Sequence, residues 1–150
     1  MARRVFFSFH YQRDIWRVNQ IRSLPNVVGT AAAGFQDASL WEKARKEGDV
    51  AIKRLINAGL IDTTVTVVFV GAQTASRRYV NYEIKQSLAR GNGLVAVQIH
   101  HLQNQDKEID APGAIPAGIK DNGFKAYRYV DAELLAKWIE EAATIAAQKE

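Results

Sequence analysis

The sequence predicts an α/β fold, in which helices cover both faces of a five-stranded, mostly parallel sheet to form a three-layer sandwich. Short runs rich in β-branched and aromatic residues alternate with segments of helical periodicity along all 150 residues. The runs are continuously apolar, as expected of parallel strands buried on both faces. The composition, 47% hydrophobic and 24% charged residues, is typical of a globular protein, and the length fits one domain spanning 1–150.

Five runs are predicted to be strands and are taken here in chain order. They are RRVFFSFH (3–10), VVG (27–29), TTVTVVFVG (63–71), GLVAVQIH (93–100) and KAYRYV (125–130). Five strands joined by helical crossovers suit the flavodoxin-like order 2-1-3-4-5.

Helical periodicity predicts four helices between and after these strands. The first runs from about Gln12 to Ser23, and the second from Glu42 or Glu47 to Ala58, with Gly59 as its stop. The third is capped by Thr74 or Ser76 and closed by Gly91, and the last extends from Asp131 to about Gln148. Residues 30–44 read as irregular. The polar segment 102–126 is either a functional loop or contains a short helix, and the roles of 30–46 and 102–126 stay open.

Composition excludes several classes of function. With no cysteine, a disulfide framework, a thiol nucleophile and a thiolate metal site are all unavailable. The apolar runs are too short for a signal peptide or a membrane span, so we expect a cytoplasmic protein without a membrane partner. The net charge of +4 mildly favours anionic ligands, but the basic residues are scattered and predict no specific nucleic-acid binding. Adjacent His100 and His101 cannot easily face one metal ion, and we expect no metal site.

Ligands of such a sheet bind outside the carboxyl ends of strands one and three, where the strand order reverses. The segments at these ends are SFHYQRD and VGAQTASRR, and the helix that carries Glu83 begins beside them. On a helical wheel Glu83 flanks the apolar stripe, and no Lys or Arg lies three or four residues away. It is either a boundary glutamate whose stem packs on the core or a functional carboxylate, and the wheel alone favours the former.

The loop predicted after strand two offers two further candidates. Asp37 and Trp41 are placed to face the crevice, with core packing as an equal alternative for Trp41. The glycine spacing of GTAAAG is that of a phosphate-binding loop, but Phe35 and Gln36 stand where Lys and Ser or Thr are required.

Two blocks, VFFSFHYQRDIWRVNQIR and TVTVVFVGAQTASRRYVNYEI, resemble the TIR-like domains of the Thoeris anti-phage defence systems. This family belongs to the TIR superfamily, which has a flavodoxin-like fold. The resemblance implies cleavage of NAD, as substrate and not as a cofactor, at the bond between nicotinamide and ribose. Glu83 matches the family's catalytic glutamate, and Tyr79 replaces the usual tryptophan. The residues implied to bind substrate are Ser8, Phe9, His10, Tyr11 and Tyr79, with Arg13, Arg77 and Arg78 as candidates for the pyrophosphate.

The resemblance also implies a role in signalling. The product would be an ADP-ribose derivative, often cyclic, that diffuses to a partner effector protein, and the domain could form a homo-oligomer. The alternative is a non-catalytic TIR module that only assembles with other TIR domains, and a weaker one is a nucleoside-processing transferase of similar fold. The presence of Glu83 favours the enzyme. The sequence leaves open the product, the trigger, the oligomeric state and the effector.

Overall fold

A computed structural model of the chain describes residues 3–21, 24–25, 27–31 and 38–149. Its sheet has five strands in the order β2-β1-β3-β4-β5, and every neighbouring pair is parallel. This confirms the predicted α/β class and the order 2-1-3-4-5. Parallel pairing throughout requires a crossover between successive strands, and helices provide these crossovers.

The strands are β1 (Arg3–Ser8), β2 (Val27–Ala31), β3 (Val65–Val70), β4 (Gly93–Gln98) and β5 (Lys125–Arg128). Four of them end one or two residues before the predicted boundary. The apolar pattern continues beyond the ladder because residues such as Ile99 and Phe9 still pack against the core after pairing has ended.

The helices are α1 (Tyr11–Asn19), α2 (Ala38–Glu47), α3 (Asp49–Leu60), α4 (Arg78–Ala89), α5 (Ala117–Lys120) and α6 (Ala132–Gln148), with a 3₁₀ turn at Thr74–Ser76. The short α5 shows that segment 102–126 does contain a helix. Asp131, the predicted start, is the N-cap of α6, and its carboxylate accepts a hydrogen bond from the Leu134 backbone N–H at 2.8 Å.

Two helices replace the single one predicted between β2 and β3. The irregular reading of 30–44 is wrong from Ala38 onward, so Trp41 lies in a helix and not in a loop. The break between α2 and α3 falls at Gly48, whose φ of 105° is disfavoured for side chains that carry a Cβ. A left-handed glycine thus ends α2 and lets α3 start in a new direction.

The start of α4 also differs from the prediction. Neither Thr74 nor Ser76 caps it, because the N-cap position is Arg77, which makes no side-chain cap. Thr74 Oγ1 instead accepts the Gly71 backbone N–H at 2.7 Å, and Ser76 Oγ donates to the Gln73 carbonyl at 3.0 Å. These bonds shape the turn between β3 and α4. The predicted stop at Gly91 is confirmed by its φ of 79°.

The core has two layers, one on each face of the sheet. On one face, α1 and α6 pack on alternate residues of β1, β3 and β4, such as Val5, Val67 and Val95. On the other face, α2, α3 and α4 cover the remaining residues, such as Phe6 and Val68. Ser8 shares this second face with Phe6, which directs it toward α4.

The segment after β4 is packed closely onto the loop after β3. A Cβ added to Gly113 would overlap the Gly71 carbonyl oxygen and would lie 2.6 Å from that of Ala72. The two backbones therefore touch, and the segment is held against the carboxyl end of the sheet. The catalytic candidates lie at this same end.

Candidate active site

Glu83 lies in the interior between α4 and β1. It is 5% exposed and belongs to the buried face of α4 with Val80 and Ile84, so it is inside the apolar stripe and not at its flank. The hydroxyl of Ser8, the last residue of β1, donates to Glu83 Oε1 at 2.7 Å. Within the described residues, Glu83 makes no ion pair. A strand end therefore fixes one carboxyl oxygen, and Oε2 has no described protein partner.

Burial raises the pKa of Glu83 to about 8, and the hydrogen bond from Ser8 opposes that rise only in part. A carboxylate removed from water without a cation loses solvation that a single hydroxyl cannot replace. Unliganded Glu83 is therefore mostly protonated at neutral pH. A perturbed acid in a cleft is a common feature of catalytic sites.

Glu83 lines a cavity of about 120 Å³ between the carboxyl end of β1 and the start of α4, which we call the acid cavity. Its walls come from β1 and the residues after it, from α2 and α3, and from the start of α4. The lining residues are Phe7, Phe9, His10, Tyr11, Gln12, Arg45, Ile52, Arg77, Tyr79, Val80 and Glu83. The combination of apolar and aromatic walls with converging polar groups is typical of small-molecule sites.

The structure brings together most of the residues that the sequence singled out. Phe9, His10, Tyr11 and Tyr79 all line the acid cavity with Glu83. Ser8 is fully buried behind Glu83 and reaches the cavity through that carboxyl group. Asp37 lies outside the described residues. Trp41 lies within α2, but the structure does not describe its side chain. The roles of both residues in binding stay predictions.

Tyr79 is oriented by the first turn of α3. Its hydroxyl donates to Asp49 Oδ1 at 2.8 Å, and the Arg78 guanidinium donates to the same oxygen at 2.6 Å. The hydrogen bond from Tyr79, with help from Lys53 and Arg78, lowers the pKa of Asp49. The Arg78 guanidinium carbon also lies 5.3 Å from the Tyr79 ring centroid. Because Asp49 engages it, Arg78 is less suited to a pyrophosphate than Arg77, which lines the cavity.

His10 carries no charge at neutral pH. Burial, then Arg77 and Arg13, lower its pKa to about 4. Two nearby cations disfavour a third positive charge. A neutral imidazole can both donate and accept a hydrogen bond, and it leaves the positive charge of the cavity to arginines.

Sequence reasoning missed Arg45, Gln12 and Ile52 as lining residues. Arg45 and Ile52 reach the cavity from α2 and α3. Residues 38–44 of α2 were read as irregular, and Ile52 was placed in a predicted helix as an inward-facing core residue. The run SLWEKARKE, made mostly of strong helix formers, was the signal that could have revealed α2. Gln12 occupies the first turn of α1, next to residues that were singled out.

A second cavity, of about 360 Å³, adjoins the first and shares His10 and Gln12 with it; we call it the amide cavity. Its other lining residues are Arg13, Arg17, Gln73, Asn104, Gln105 and Asp110. The walls thus come from α1, from the loop after β3 and from the segment after β4. Four of the side chains around it are amides.

A buried ionic cluster underlies the amide cavity. Arg17, fully buried, donates through Nη1 to Asp14 Oδ1 at 3.0 Å and through Nε to the Leu102 carbonyl at 2.7 Å. Its Nη2 donates to the Glu108 carbonyl at 3.2 Å, and its Nη1 lies 3.1 Å from Asp110 Oδ2. One guanidinium therefore joins α1 to segment 102–110.

Asp14 contacts the loop after β3 directly. A Cβ on Gly71 would overlap Asp14 Oδ2, an oxygen that has no hydrogen-bond partner among the described residues. Burial raises the pKa of Asp14 although Arg17 is beside it. The absence of a side chain at position 71 is therefore required for α1 to pack at this end of the sheet.

Neither a cluster of metal-binding side chains nor a membrane-spanning helix is present in the part of the chain that the structure describes. There, no three His, Asp or Glu side chains are grouped so that they could hold a metal ion. Across the same residues, no helix has both the length and the apolar character needed to cross a bilayer.

The fold and this site define a class of protein. A flavodoxin-like sheet of order 2-1-3-4-5, with a glutamate on α4 at the carboxyl end of the sheet, is the arrangement expected of a TIR-like domain. Residues 6–104 match the family model described as "Thoeris protein ThsB, TIR-like domain". The chain belongs to this family.

A curated relative from Bacillus cereus (strain MSX-D12) is 48% identical over 118 residues. It bears the name "Putative cyclic ADP-D-ribose synthase ThsB1". The match covers 77% of this chain and 62% of the relative, so the chain spans less than two thirds of that protein's length.

Proposed function

We propose that the protein cleaves NAD between nicotinamide and ribose and converts the remainder into a cyclic ADP-ribose-type product. In this proposal the reaction takes place in the cytoplasm, and the product diffuses to an effector protein in anti-phage defence. The observation that carries the proposal is that Glu83 is buried and accepts a hydrogen bond from Ser8 at the switch point, the place where the strand order of the sheet reverses. Family membership and the name of the Bacillus relative support the same chemistry.

The chemistry needs little more than one well-placed carboxylate. The nicotinamide of NAD is cationic at its ring nitrogen and leaves as a neutral molecule, taking the electron pair of the broken bond, so no general acid is required. Positive charge then develops on the ribose at C1′ and its ring oxygen, as in glycoside cleavage. The Glu83 carboxylate stabilises this charge and accepts hydrogen bonds from the ribose hydroxyls. A nitrogen of the substrate's own adenine then donates its electron pair to C1′, which replaces the bond to nicotinamide and closes the ring, and the adenine loses a proton to water.

Glu83 must be ionised for this role, and the substrate supplies the reason for it to ionise. In the empty cavity its pKa of about 8 keeps it mostly protonated at neutral pH. A cationic nicotinamide and hydroxyl donors placed beside it favour the charged form. Binding of NAD would therefore release a proton from Glu83 and produce the carboxylate that the reaction needs.

The other cavity residues suit the rest of this half of the substrate. Phe9, Tyr11 and Tyr79 provide aromatic surface for the nicotinamide ring. Arg45 and Arg77 are the cations that line the acid cavity, and their guanidinium groups match phosphate oxygens. We assign the pyrophosphate first to Arg77 and second to Arg45, whose Nη1 lies 3.4 Å from Glu42 Oε1, and we assign Ser8 the role of orienting Glu83.

The test is release of nicotinamide from NAD by the purified protein and by Glu83→Gln, measured by chromatography. We expect loss of at least about 10³-fold in the variant, the scale of a lost electrostatic stabiliser. Because activity of the purified protein can require a trigger, the same pair is compared in cells challenged by phage beside the effector, and the nucleotide extract is analysed. Glutamine is nearly isosteric with glutamate, so the fold of the variant should persist.

Glu133→Gln is a suitable control, since Glu133 lies at the exposed start of α6, far along the chain from the site. It should retain the activity of the wild type. If Glu83→Gln released nicotinamide and produced the signal as the wild type does, the catalytic proposal would be rejected and an interaction module would be the better explanation.

A further inference from the structure

We propose that the amide cavity is the subsite for the adenosine half of the dinucleotide. This inference rests on the proposed function, because it takes NAD as the substrate of the acid cavity. The two cavities share His10 and Gln12, so a ligand can extend from one to the other past these side chains. The nicotinamide riboside end would lie at Glu83, and the adenosine end would lie between α1 and segment 102–110. This is the pose for cleavage; the adenine leaves the amide cavity and reaches C1′ when the ring closes.

The two cavities differ in net charge, and this difference indicates which part of the dinucleotide binds in each. In the amide cavity, Arg13 lies 3.1 Å from Asp110, and the Arg17 guanidinium is engaged by Asp14 and two carbonyls. Two cations are thus balanced by two carboxylates, which leaves no net charge to attract a phosphate. In the acid cavity, Arg45 and Arg77 face Glu83, which is mostly protonated, and Arg45 also lies 3.4 Å from the exposed Glu42, so one positive charge remains uncompensated. The phosphates therefore belong near these arginines, and a neutral polar group belongs beyond His10.

Amide side chains suit the hydrogen-bonding groups of adenosine. Each amide offers both donors and an acceptor, which match ribose hydroxyls and the edge of adenine. Gln73 and Gln105 are exposed, and their side chains make no hydrogen bond within the described structure. They can therefore form new bonds to a ligand without breaking existing ones.

Asn104 is already oriented for binding. Its Oδ1 accepts the backbone N–H groups of Asp106 at 2.9 Å and of Glu108 at 3.0 Å. The side chain is thereby fixed, and its Nδ2 makes no hydrogen bond to the described residues. A preorganised donor loses little conformational entropy when a ligand binds.

The wall that carries Asn104 is itself held in place. The Arg17 guanidinium bonds to the Leu102 and Glu108 carbonyls, and Gln20 Nε2 donates to the Gln103 carbonyl at 2.6 Å. Gly113 is in backbone contact with the loop that carries Gln73. The cavity is therefore built from fixed segments and does not depend on a surface loop that closes over the ligand.

The test measures binding of adenosine 5′-monophosphate, which lacks the scissile bond, by isothermal titration calorimetry. Two variants remove groups of the amide cavity: Gln73→Leu removes an exposed amide, and Asn104→Asp keeps the Oδ1 acceptor of the turn while it replaces the NH₂ donor. We expect each to weaken binding by about fivefold or more, the effect of one lost hydrogen bond. Gln103→Leu, an exposed neighbour that does not line the cavity, is the matched control.

A second probe, nicotinamide mononucleotide, lacks adenosine and is titrated into Glu83→Gln with and without the same substitutions. Its affinity should change by less than about twofold. If adenosine 5′-monophosphate fails to bind at millimolar concentration, or binds Gln73→Leu and Asn104→Asp as it binds the wild type, the subsite is rejected. Neither titration requires turnover, so rejection of the subsite is separate from a failure to cleave NAD.

Discussion

The bond between Ser8 and Glu83 joins a strand end to a helix, and it is the main protein interaction that favours ionised Glu83. Burial raises the pKa of Glu83, whereas the Ser8 hydroxyl lowers it. The two residues are 75 positions apart in the chain, and their pairing arises because β1 and α4 meet at the switch point. The pKa of the candidate catalytic acid therefore depends on a residue that is not exposed to the cavity.

Ser8→Ala should raise the pKa of Glu83 further, by about one unit, because a hydrogen bond to the charged form is lost. In the wild type, kcat/KM for NAD should rise with pH and level off above about 8, since this ratio reports ionisation of the free enzyme. In Ser8→Ala the midpoint should move to higher pH. The measurement is kcat/KM from pH 6 to about 10.

Ser87→Ala is the matched control. Ser87 is also buried, but its hydroxyl bonds to the Glu83 carbonyl and to Thr66, not to the carboxyl group. It can lower stability without moving the pH midpoint. The same midpoint in Ser8→Ala as in the wild type would contradict the role assigned to the Ser8 hydroxyl.

The sequence predicted much of the site at this scale, and the reason is topological. Phe9, His10, Tyr11 and Glu83 follow from the two strand ends that meet in a flavodoxin-like sheet together with the family motifs. The Ser8 bond did not follow, because periodicity gives the face of a side chain but not its partner. The burial of Glu83 was also underestimated, since a helical wheel does not show what covers the flank of a stripe.

At the scale of elements, α1 is joined to segment 102–110 by one guanidinium. Arg17 is fully buried and bonds to a carboxylate on its own helix and to two carbonyls of the segment. Its charge offsets Asp14 and the partly buried Asp110. Buried charges are tolerated only when they are paired, so removal of the cation leaves carboxylates in a poorly solvated environment.

Arg17→Met should therefore destabilise the fold by about 3–5 kcal/mol, the usual cost of breaking a buried ion pair from one side. Arg54→Met, on the exposed face of α3, should change stability by less than about 0.5 kcal/mol. Urea unfolding followed by circular dichroism measures both values. A similar small loss in the two variants would show that the cluster contributes little.

Some helices and strands were predicted correctly from the sequence, and others were not. The strands and α6 were found because their apolar patterns are strong and Asp131 provides a cap signal. The division into α2 and α3 was missed because it depends on the backbone conformation of Gly48, which hydrophobic periodicity does not report. The cap of α4 was misplaced because Thr74 and Ser76 use their hydroxyls to build the preceding turn.

At the scale of the whole molecule, two buried groups make folding depend on pH in opposite directions. Glu83 has a folded pKa of about 8 against 4.5 for the free group, so its contribution to stability is complete below 4.5 and is lost as pH rises to 8. His10 has a folded pKa of about 4 against 6.5, so its contribution is complete above 6.5 and is lost as pH falls to 4. Between pH 6.5 and 8, only Glu83 of these two should matter.

Raising the pH from 6.5 to 8 should therefore lower the free energy of unfolding of the wild type by about 1–2 kcal/mol through Glu83. Glu83→Gln does not titrate and should not show this loss. Its stability relative to the wild type should thus increase across the interval. Urea unfolding of both proteins at the two pH values measures the difference, and parallel behaviour would contradict the assigned pKa.

The global fold was predictable because one rule governs it. Alternating strand and helix patterns force a parallel sheet, and five strands with right-handed crossovers leave few possible orders. Of these, the flavodoxin-like order was predicted because it suits five strands, and it is the observed one. Details at the carboxyl end of the sheet were not predictable, since they depend on contacts between backbone segments far apart in the chain.

Two close contacts meet at Gly71: its carbonyl oxygen touches Gly113, and its Cα side faces the carboxylate of Asp14. Positions 14, 71 and 113, which are distant in the chain, are therefore packed in one continuous row, which we call the column. A methyl group added at either glycine would push a neighbour away, so substitutions in this column cannot be independent. When relatives are aligned, positions 14, 71 and 113 should be read as one unit. A relative with larger residues at 71 or 113 must route its chain differently there, and its amide cavity would have another shape.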